Sequence, residues 1–325
     1  SCLDGLPIKC ICLCSTVLLE ALGHLFHIAT FFAYYPPCLS KMAVKLIDKK
    51  DGTFRPIILF RSLFRLHGRL LARKTREWEA ATLINSPFGN NQGRETLDSV
   101  FRSWMRQAIE LTTGSASSAA DLLIDLRKCF EYLNRDLLWK ACIDQGYPMH
   151  VCRMSLQSYA WPKYILGAYD YCGKTVIGSR GIAAGSAFAT TELKVYLFRL
   201  AKAIQQSAGP ATCISIFVDD FSISTTGQSD QEVAEEITNT YQMVVKALSE
   251  VQLIVAPDKT ELISTSRSLT DLIRVTVPIN NTGGFCRKLG VDVNYNPGIK
   301  IKIKAKHTIR YKWRQPVRKE RDTLF

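Results

Sequence analysis

Acidic side chains are scarce in this sequence. Aspartate and glutamate together number 29 among 325 residues, against 42 lysines and arginines, which gives a formal net charge of +13. Such an excess of positive charge favours a polyanionic partner, and nucleic acid is the commonest one. Ribosomal and membrane-surface proteins are also basic, so charge alone does not decide the function.

The sequence also lacks a clean membrane-spanning run. Residues 15–35 form an apolar stretch that is long enough to cross a bilayer, but it is interrupted by a charge, a glycine and two histidines: Glu20, Gly23, His24 and His27. These residues are poorly suited to a hydrocarbon interior. No basic segment precedes the stretch, as it would in a signal peptide. We therefore predict a core helix that ends before the prolines at 36–37, and no membrane partner.

A disulfide framework is absent as well. The 11 cysteines are unevenly placed, and a chain that is 47% hydrophobic can bury a core without covalent cross-links. Cys10, Cys12 and Cys14 alternate with apolar residues, which predicts one face of a strand and favours buried thiols over zinc ligands. Reduced thiols indicate an intracellular protein.

Two adjacent aspartates, Asp219 and Asp220, stand between two alternating apolar runs, residues 215–218 and 221–224. Alternation with period two predicts strands, and a two-residue Asp-Asp link predicts a tight hairpin with both carboxylates at its tip. Carboxylate oxygens are hard ligands suited to Mg²⁺, whose coordination substrate phosphates complete. A surface Asp-Asp turn has the same pattern, so this segment leaves both interpretations open.

A third carboxylate, Asp125, follows an apolar strand predicted at residues 122–124, and a helix is predicted from Phe130 to Gln145. If that strand lies beside the hairpin, Asp125 and Asp219 can share metal ions. Phe130, five positions after Asp125, can then lie under an incoming sugar. Two metal ions about 3.5 to 4 Å apart would stabilise the attacking and leaving oxygens of a phosphoryl transfer.

These two motifs resemble those of reverse transcriptases, in which an Asp followed five residues later by Phe or Tyr is matched with an aromatic-x-Asp-Asp hairpin. Further segments match the family in order: a basic hairpin before Arg-Pro-Ile, a glycine-rich turn and helix, a lysine motif and a Leu-Gly grip, at residues 49–57, 180–186, 257–261 and 288–291. Six ordered matches are more specific than any single motif. They favour a non-retroviral, non-LTR-type retroelement enzyme.

The resemblance implies an α+β fold with right-hand polymerase architecture, in which helical and β fingers adjoin a palm whose antiparallel sheet is backed by helices. We expect an N-terminal helix and fingers over residues 1–118, and a palm over 119–297 with an inserted fingers part at about 150–180. Residues 298–325 are expected to form a basic tail or the start of an incomplete thumb. No endonuclease, RNase H or integrase domain is recognised.

The implied activity is RNA-directed DNA polymerisation, in which a primer 3′-hydroxyl is extended with dNTPs by two-metal nucleotidyl transfer, in a retrotransposon protein. The implied cofactors are two Mg²⁺ ions, with Mn²⁺ as the alternative, and the partners are an RNA template and a DNA primer. An intracellular, nuclear location is expected. The oligomeric state stays open.

The resemblance also assigns site residues. The catalytic and metal-binding residues are Asp125, Asp219 and Asp220. The nucleotide-binding residues are Lys49, Lys50, Arg55, Phe130, Gly181, Gly185 and Lys259. Nucleic acid is expected to contact a basic helix at 63–79, a polar loop and the C-terminal tail, through Arg65, Arg69, Arg73, Gln92, Arg94, Arg310, Lys312 and Arg314.

Two alternatives remain at this stage. An RNA-dependent RNA polymerase has the same hand, but Phe130 argues against it because an aromatic ring there crowds a 2′-hydroxyl. A decayed element product could bind nucleic acid without polymerising. Intact aspartates weigh against decay, whereas the incomplete thumb and the Ala183-Ala184 pair, where the family usually carries Pro-Gln, weigh for it.

Overall fold

The computed structural model describes residues 6–49, 52–84, 86–91, 96–166, 172–279, 286–288 and 291–293. Several residues named above lie outside these ranges: Lys50, Gln92, Arg94, Arg310, Lys312 and Arg314. Their proposed roles, and the tail or thumb over 298–325, therefore stay predictions.

The helices of the described residues are α1 Thr16–Phe32, α2 Ser62–Thr82, α3 Thr96–Thr112, α4 Cys129–Tyr132, α5 Arg135–Asp144, α6 Met149–Tyr159, α7 Ala189–Ser207, α8 Asp230–Glu250 and α9 Arg267–Arg274. The strands are β1 Met42–Asp48, β2 Phe54–Phe60, β3 Ser118–Ile124, β4 Lys163–Leu166, β5 Cys172–Val176, β6 Thr212–Phe217, β7 Asp220–Gly227, β8 Glu261–Ser264, β9 Cys286–Lys288 and β10 Val291–Val293. Short 3₁₀ helices cover Ile8–Leu13 and Pro257–Lys259.

One four-stranded sheet has the order β2-β1-β4-β5. Strands β1 and β2 form the basic hairpin that the sequence predicts, closed by a hydrogen bond of 2.8 Å from the Lys49 amide to the Thr53 carbonyl. Gly52 has φ +77° in this turn, a conformation that glycine adopts without steric cost. β4 joins β1 in parallel and β5 pairs with β4, so residues 163–166 and 172–176 add two strands to the same sheet.

The second four-stranded sheet is antiparallel throughout, with the order β6-β7-β3-β8. This arrangement confirms that the strand before Asp125 lies beside the hairpin. Helix α8 packs behind β3 and β7, and its Ser229 cap accepts a hydrogen bond from the Glu232 amide, as the capping-box pattern predicts. Val233, Ile237 and Val244 are fully buried between helix and sheet.

A single hydrophobic core joins the two sheets. Phe60 and Phe64, at the end of β2 and the start of α2, belong to the same buried cluster as Ile124 and Phe221 of the antiparallel sheet. The fingers-type and palm-type elements therefore pack as one body, and the end of β3 is held against a continuous apolar layer.

Two local predictions need correction. The hairpin pairs Phe217 with Asp220, so its two-residue link is Val218-Asp219 and Asp220 already belongs to β7. The helix predicted from residue 130 to 145 is broken, because Asn134 accepts hydrogen bonds from the amides of residues 136 and 137 and thereby starts a new helix, α5.

The N-terminal segment also differs from its predictions. Cys10 and Cys12 lie in a 3₁₀ helix and are exposed, so they are neither on a strand nor buried. Helix α1 is not a core helix, because it buries Phe26 and Ala29 and leaves most of its other apolar side chains in contact with solvent. Within the described ranges no helix has both the length and the apolar character needed to cross a membrane.

Candidate active site

Asp125 follows β3 directly, and its backbone is fixed by the neighbouring chain. The Ala256 amide donates a hydrogen bond of 2.8 Å to the Asp125 carbonyl, and the Arg127 amide donates one of 2.8 Å to the Ile254 carbonyl. These bonds continue the sheet edge past the end of β3. The carboxylate is therefore carried by rigid backbone rather than by a free loop.

Asp219 lies in the hairpin turn next to a strained residue. Val218 has φ +60°, and a β-branched side chain adopts this left-handed conformation at a cost of about 1 to 2 kcal/mol. The β6–β7 pairing on either side and the packing of Val218 against the core hold the turn in place. The turn therefore gives the Asp219 side chain one defined direction beside Asp220.

The pKa values of Asp219 and Asp220 are raised by burial and by neighbouring carboxylates. Burial, followed by repulsion from Asp219 and Asp125, raises the pKa of Asp220 to about 6. The pKa of Asp219 is also raised, first by burial and then by Asp125, while Arg55 on β2 opposes the shift. The three carboxylates are thus close enough to repel one another, and Arg55 is close enough to offset part of that charge.

Lys259 forms an ion pair with Asp125. Its ammonium lies 2.6 Å from a carboxylate oxygen of Asp125, and this hydrogen bond raises the pKa of Lys259. Among the described residues no three His, Cys, Asp or Glu side chains are arranged to hold a metal ion by themselves. A metal ion here would need ligands from the substrate in addition to the aspartates.

A cleft of about 360 Å³ opens on this face of the sheet, between the hairpin, the end of β3 and β8. Its charged lining consists of Asp125, Asp220, Asp258, Lys259, Glu261 and Lys288. Helix α3 covers the lower part of the same face, where Ser103 of α3 lies 2.8 Å from Ser224 of β7. The upper part, lined by Asp125 and Asp220, is left open to a ligand, and Asp219 lies in the adjoining hairpin turn.

Phe130 lies in α4, close after Asp125, and is partly buried against the core. Gly181 and Gly185 lie in the loop before α7, and both face protein backbone. A Cβ on Gly181 would lie 2.6 Å from the Glu131 carbonyl oxygen, and one on Gly185 would lie 2.5 Å from the Ile58 carbonyl oxygen. The close approach that these glycines permit is to α4 and to β2, and contact with a base pair stays a prediction.

Three predicted nucleic-acid contacts lie on α2, whose bounds confirm the basic helix. Arg65 and Arg69 line a small cavity of about 170 Å³ together with Gly185. Arg73 is exposed and pairs with Glu77 at 3.5 Å, which is an ordinary surface ion pair. Lys49 is exposed where β1 enters the hairpin turn.

The contacts of three charged residues were not predicted from the sequence. Arg135 contacts backbone carbonyls of the loop before α7, Lys288 forms a buried ion pair with Asp121, and Lys194 forms another with Glu79. One signal was available for Arg135, since a cation in the first turn of a helix is unfavourable to the helix dipole. A cation at this position therefore indicates that its side chain has a specific binding partner in the fold.

Solved telomerase structures share this fold. The chain aligns with apo telomerase from Candida tropicalis truncated from its C-terminal domain, at a TM-score of 0.58 and 13% identity, over 86% of this chain and 58% of that one. Telomerase from Candida albicans in complex with the TWJ fragment of telomeric RNA aligns at 0.56 and 13%, over 80% and 47%. The chain spans about half the length of the telomerases it matches.

No curated protein matches the sequence. A family model does, over residues 47–309, and its description is reverse transcriptase (RNA-dependent DNA polymerase). The matched range contains both carboxylate motifs and both four-stranded sheets, apart from the part of β1 before residue 47. Together with the right-hand polymerase fold shared with telomerases, this match shows that the chain belongs to the reverse transcriptase family.

Proposed function

We propose that this chain extends a DNA primer on an RNA template with dNTPs, in a protein of a non-LTR-type retroelement. The observation that carries the proposal is the juxtaposition of Asp125 with Asp219 and Asp220 at one end of the antiparallel sheet, where each raises the charge density around the others. Repelling, partly buried carboxylates are what a divalent cation binds.

The donor set suits Mg²⁺, because it consists of hard carboxylate oxygens, two of which, those of Asp125 and Asp220, line an open cleft. Asp125 and Asp219 would hold the ions with help from Asp220, and triphosphate oxygens would complete the coordination. Two bound ions, Mg²⁺ or alternatively Mn²⁺, would supply charge stabilisation for the in-line transfer of a nucleotidyl group. Lys259 balances the charge of Asp125 while no cation is bound.

The residues around the cleft have matching roles in this proposal. Arg55, which already interacts with Asp219, would neutralise the triphosphate together with Lys49 and Lys50. The ring of Phe130 would lie against C2′ of the incoming nucleotide, since α4 starts directly after Asp125. A 2′-hydroxyl would then lose its hydrogen bonds to water without gaining a partner, which disfavours ribonucleotides and RNA synthesis.

RNA as the template is supported by charge and by one relative. The chain carries a net charge of +13, and Arg65 and Arg69 line a cavity between α2 and the loop before α7. A telomerase of the same fold is in complex with a fragment of telomeric RNA. The proposal includes an intracellular, nuclear location for the protein.

Primer extension by Asp219→Asn tests the function. Removing a metal ligand costs several kcal/mol of transition-state stabilisation, so we expect extension on an RNA template with Mg²⁺ to fall about a hundredfold or more. Asp258→Asn is the matched control, because Asp258 is an exposed carboxylate of the same cleft that pairs with Arg127 at 3.5 Å. Its extension should stay near that of the parent.

The outcomes separate the alternatives. Extension by Asp219→Asn at the rate of the parent would remove the proposed site. A parent protein that binds primer-template but never extends it, under Mg²⁺ or Mn²⁺, would instead identify a decayed nucleic-acid-binding remnant. Thermal unfolding of both variants should stay close to that of the parent or above it, because Asp219→Asn relieves repulsion from Asp125 and Asp258→Asn removes only an exposed ion pair.

A further inference from the structure

The loop between β5 and α7 has no helix or strand of its own over residues 177–188. It contains Gly181 and Gly185, which lie against α4 and β2 respectively. Such a loop has no ladder of backbone hydrogen bonds along its length, so side-chain contacts can add to the few backbone bonds that hold it.

Arg135, the first residue of α5, supplies those contacts. Its Nε donates to the Gly181 carbonyl at 2.8 Å, and its Nη1 donates to the Gly178 carbonyl at 2.9 Å. Its Nη2 donates to the carbonyls of Tyr159 at 2.8 Å and Arg180 at 3.0 Å. One guanidinium therefore connects the end of α6 to three carbonyls of the loop.

Only arginine can make this set of bonds. The guanidinium is a planar fork of five N–H donors, whereas a lysine ammonium is a single point with three donors on a shorter reach. A positive charge at a helix N-terminus is unfavourable to the helix dipole. The four carbonyl dipoles offset this cost, so the loop contacts account for an arginine at this position.

The clamped loop is bonded to the segment that carries Phe130. The Ile182 amide donates to the Phe130 carbonyl at 2.8 Å, and the Gly181 amide donates to the Leu133 carbonyl at 2.8 Å. Because Gly181 has no side chain, its backbone can lie directly on α4. Arg135, the loop and Phe130 therefore form one connected unit beside Asp125.

We propose that Arg135 is a positioning residue for nucleotide selection. By holding the carbonyls of Gly178, Arg180 and Gly181, it fixes the loop against α4 and so sets the position of the Phe130 ring over the incoming sugar. This inference rests on the proposed function, and it adds a residue that touches neither the nucleotide nor a metal ion.

Single-nucleotide extension with matched dNTP and rNTP tests the role, in Arg135→Lys and Arg135→Gln. Charge-assisted hydrogen bonds are strong, so we expect the KM for dNTP to rise about tenfold while kcat changes less than about threefold. Discrimination between dNTP and rNTP should fall at least about fivefold. It should also fall in a Phe130→Val variant, which serves as the reference. Selection equal to that of the parent would overturn the proposal.

A control on the same helix separates positioning from general loss of stability. Gln145 follows the C-terminal end of α5, and its Nε2 donates to the Val195 carbonyl at 2.7 Å. Gln145→Ala also removes a side-chain bond to backbone, but it is at the opposite end of the helix from the loop. It should lower the melting temperature and leave sugar discrimination unchanged.

Hydrogen exchange gives a readout that needs no activity. The amides of Gly181 and Ile182 should exchange faster in Arg135→Lys than in the parent or in Gln145→Ala. Their hydrogen bonds to the carbonyls of Leu133 and Phe130 depend on the contacts between Arg135 and the loop. Unchanged exchange at these amides would also overturn the proposal. If the parent extends no primer, the proposed function fails. Hydrogen exchange and the affinity of a chain-terminated primer complex for dNTP then still test whether Arg135 positions the loop.

Discussion

Three effects disfavour the ionised form of the Asp220 side chain. Burial, Asp219 and Asp125 raise its pKa from 3.8 to about 6, in that order of importance, and Lys259 only partly opposes them. A carboxyl group whose pKa is higher in the folded state binds its proton more tightly there. The folded state is therefore favoured at low pH and loses this contribution as the pH rises from 3.8 through about 6.

Asp220→Asn should stabilise the metal-free protein at neutral pH. The side chain is partly exposed, so solvent screening limits the expected gain to the order of 1 kcal/mol at about pH 7.5, with no gain near pH 4. Chemical unfolding with a chelator present at both pH values measures it. Added Mg²⁺ should reduce the gain, because the cation binds the folded parent.

Asp230→Asn provides the control of opposite sign. Hydrogen bonds from Ser118 and Ser266 lower the pKa of Asp230, so its contribution to stability is present at neutral pH and is lost on acidification. This variant should be less stable than the parent at neutral pH. A gain for Asp230→Asn, or a pH-independent effect of Asp220→Asn, would contradict the electrostatic assignment.

Gly181→Ala tests a steric requirement at the residue scale. Gly181 and Gly114 have nearly the same φ, +80° and +76°, but an added Cβ lies 2.6 Å from the Glu131 oxygen at Gly181 and meets nothing within 4 Å at Gly114. Gly114→Ala should cost about 1 kcal/mol for the backbone alone, and Gly181→Ala about 1 to 3 kcal/mol more. Equal losses on chemical unfolding would show that the loop moves away freely.

At the scale of elements, β9 is fastened to the antiparallel sheet by a buried charge. Lys288 reaches Asp121 of β3 at 3.7 Å and Ser103 of α3 at 3.1 Å, and the Lys288 and Asp121 side chains are 5% and 3% exposed. Ser224 of β7 donates to Asp121 as well. This cluster connects β9, whose last residue begins the segment that resembles the family's Leu-Gly grip, to β3, which Asp125 directly follows.

Lys288→Met should therefore be strongly destabilising. It leaves Asp121 buried without its cation, which costs about 3 to 5 kcal/mol, whereas the double variant with Asp121→Asn should recover most of the loss. Chemical unfolding of the four proteins of this cycle measures the coupling. Lys74→Met is the control, because the Lys74–Glu77 pair is 58% and 52% exposed and should be worth less than about 1 kcal/mol. A single-variant loss no larger than that of the control would show that the pair is solvated.

Element-scale predictions succeeded where the signal is local. The hairpin around Asp219, the strand before Asp125 and helix α8 follow from apolar periodicity and one capping residue, all within a short stretch of chain. The break at Asn134 was missed because an asparagine within an apolar helical pattern fits either a helix or a cap. The turn position was missed because Val218 is unfavourable there on propensity alone.

For the whole molecule, the net charge of +13 predicts that the proposed binding of primer-template weakens as salt rises. Basic side chains are spread over α2, the cleft and the C-terminal segment, so phosphate contacts should extend along the primer-template rather than concentrate at one point. Sequence preference should be weak, since contacts to phosphate and sugar carry little information about bases.

The salt dependence of primer-template binding tests this distribution of charge. Log affinity should fall linearly with log salt, with a slope of about 0.7 to 0.9 per phosphate contact, and deleting residues 310–325 should flatten it. Arg199→Gln, which removes an exposed arginine paired with Asp144 at 3.0 Å on the helices behind the sheet, should leave the slope unchanged. An unaltered slope after the deletion would show that this segment makes no phosphate contacts.

The sequence by itself determined the family, the order of the motifs and the local elements that carry Asp125 and Asp219. Strand alternation, helix caps and net charge depend on neighbours within a few residues or on composition, so they can be read without knowing the fold. The expectation that Asp125 and Asp219 converge came from the family's pattern, and the sheet order β6-β7-β3 provides the geometry for it.

Only the tertiary structure decided which distant residues meet. Contacts between segments far apart in the chain determine three features: the hydrogen bonds from Arg135 to the loop before α7, the Lys288–Asp121 pair and the exposure of α1. A charged residue has the same local pattern whether it faces water or four carbonyl groups. The free energy that distinguishes these states comes from desolvation and from the partners that the fold brings to the side chain.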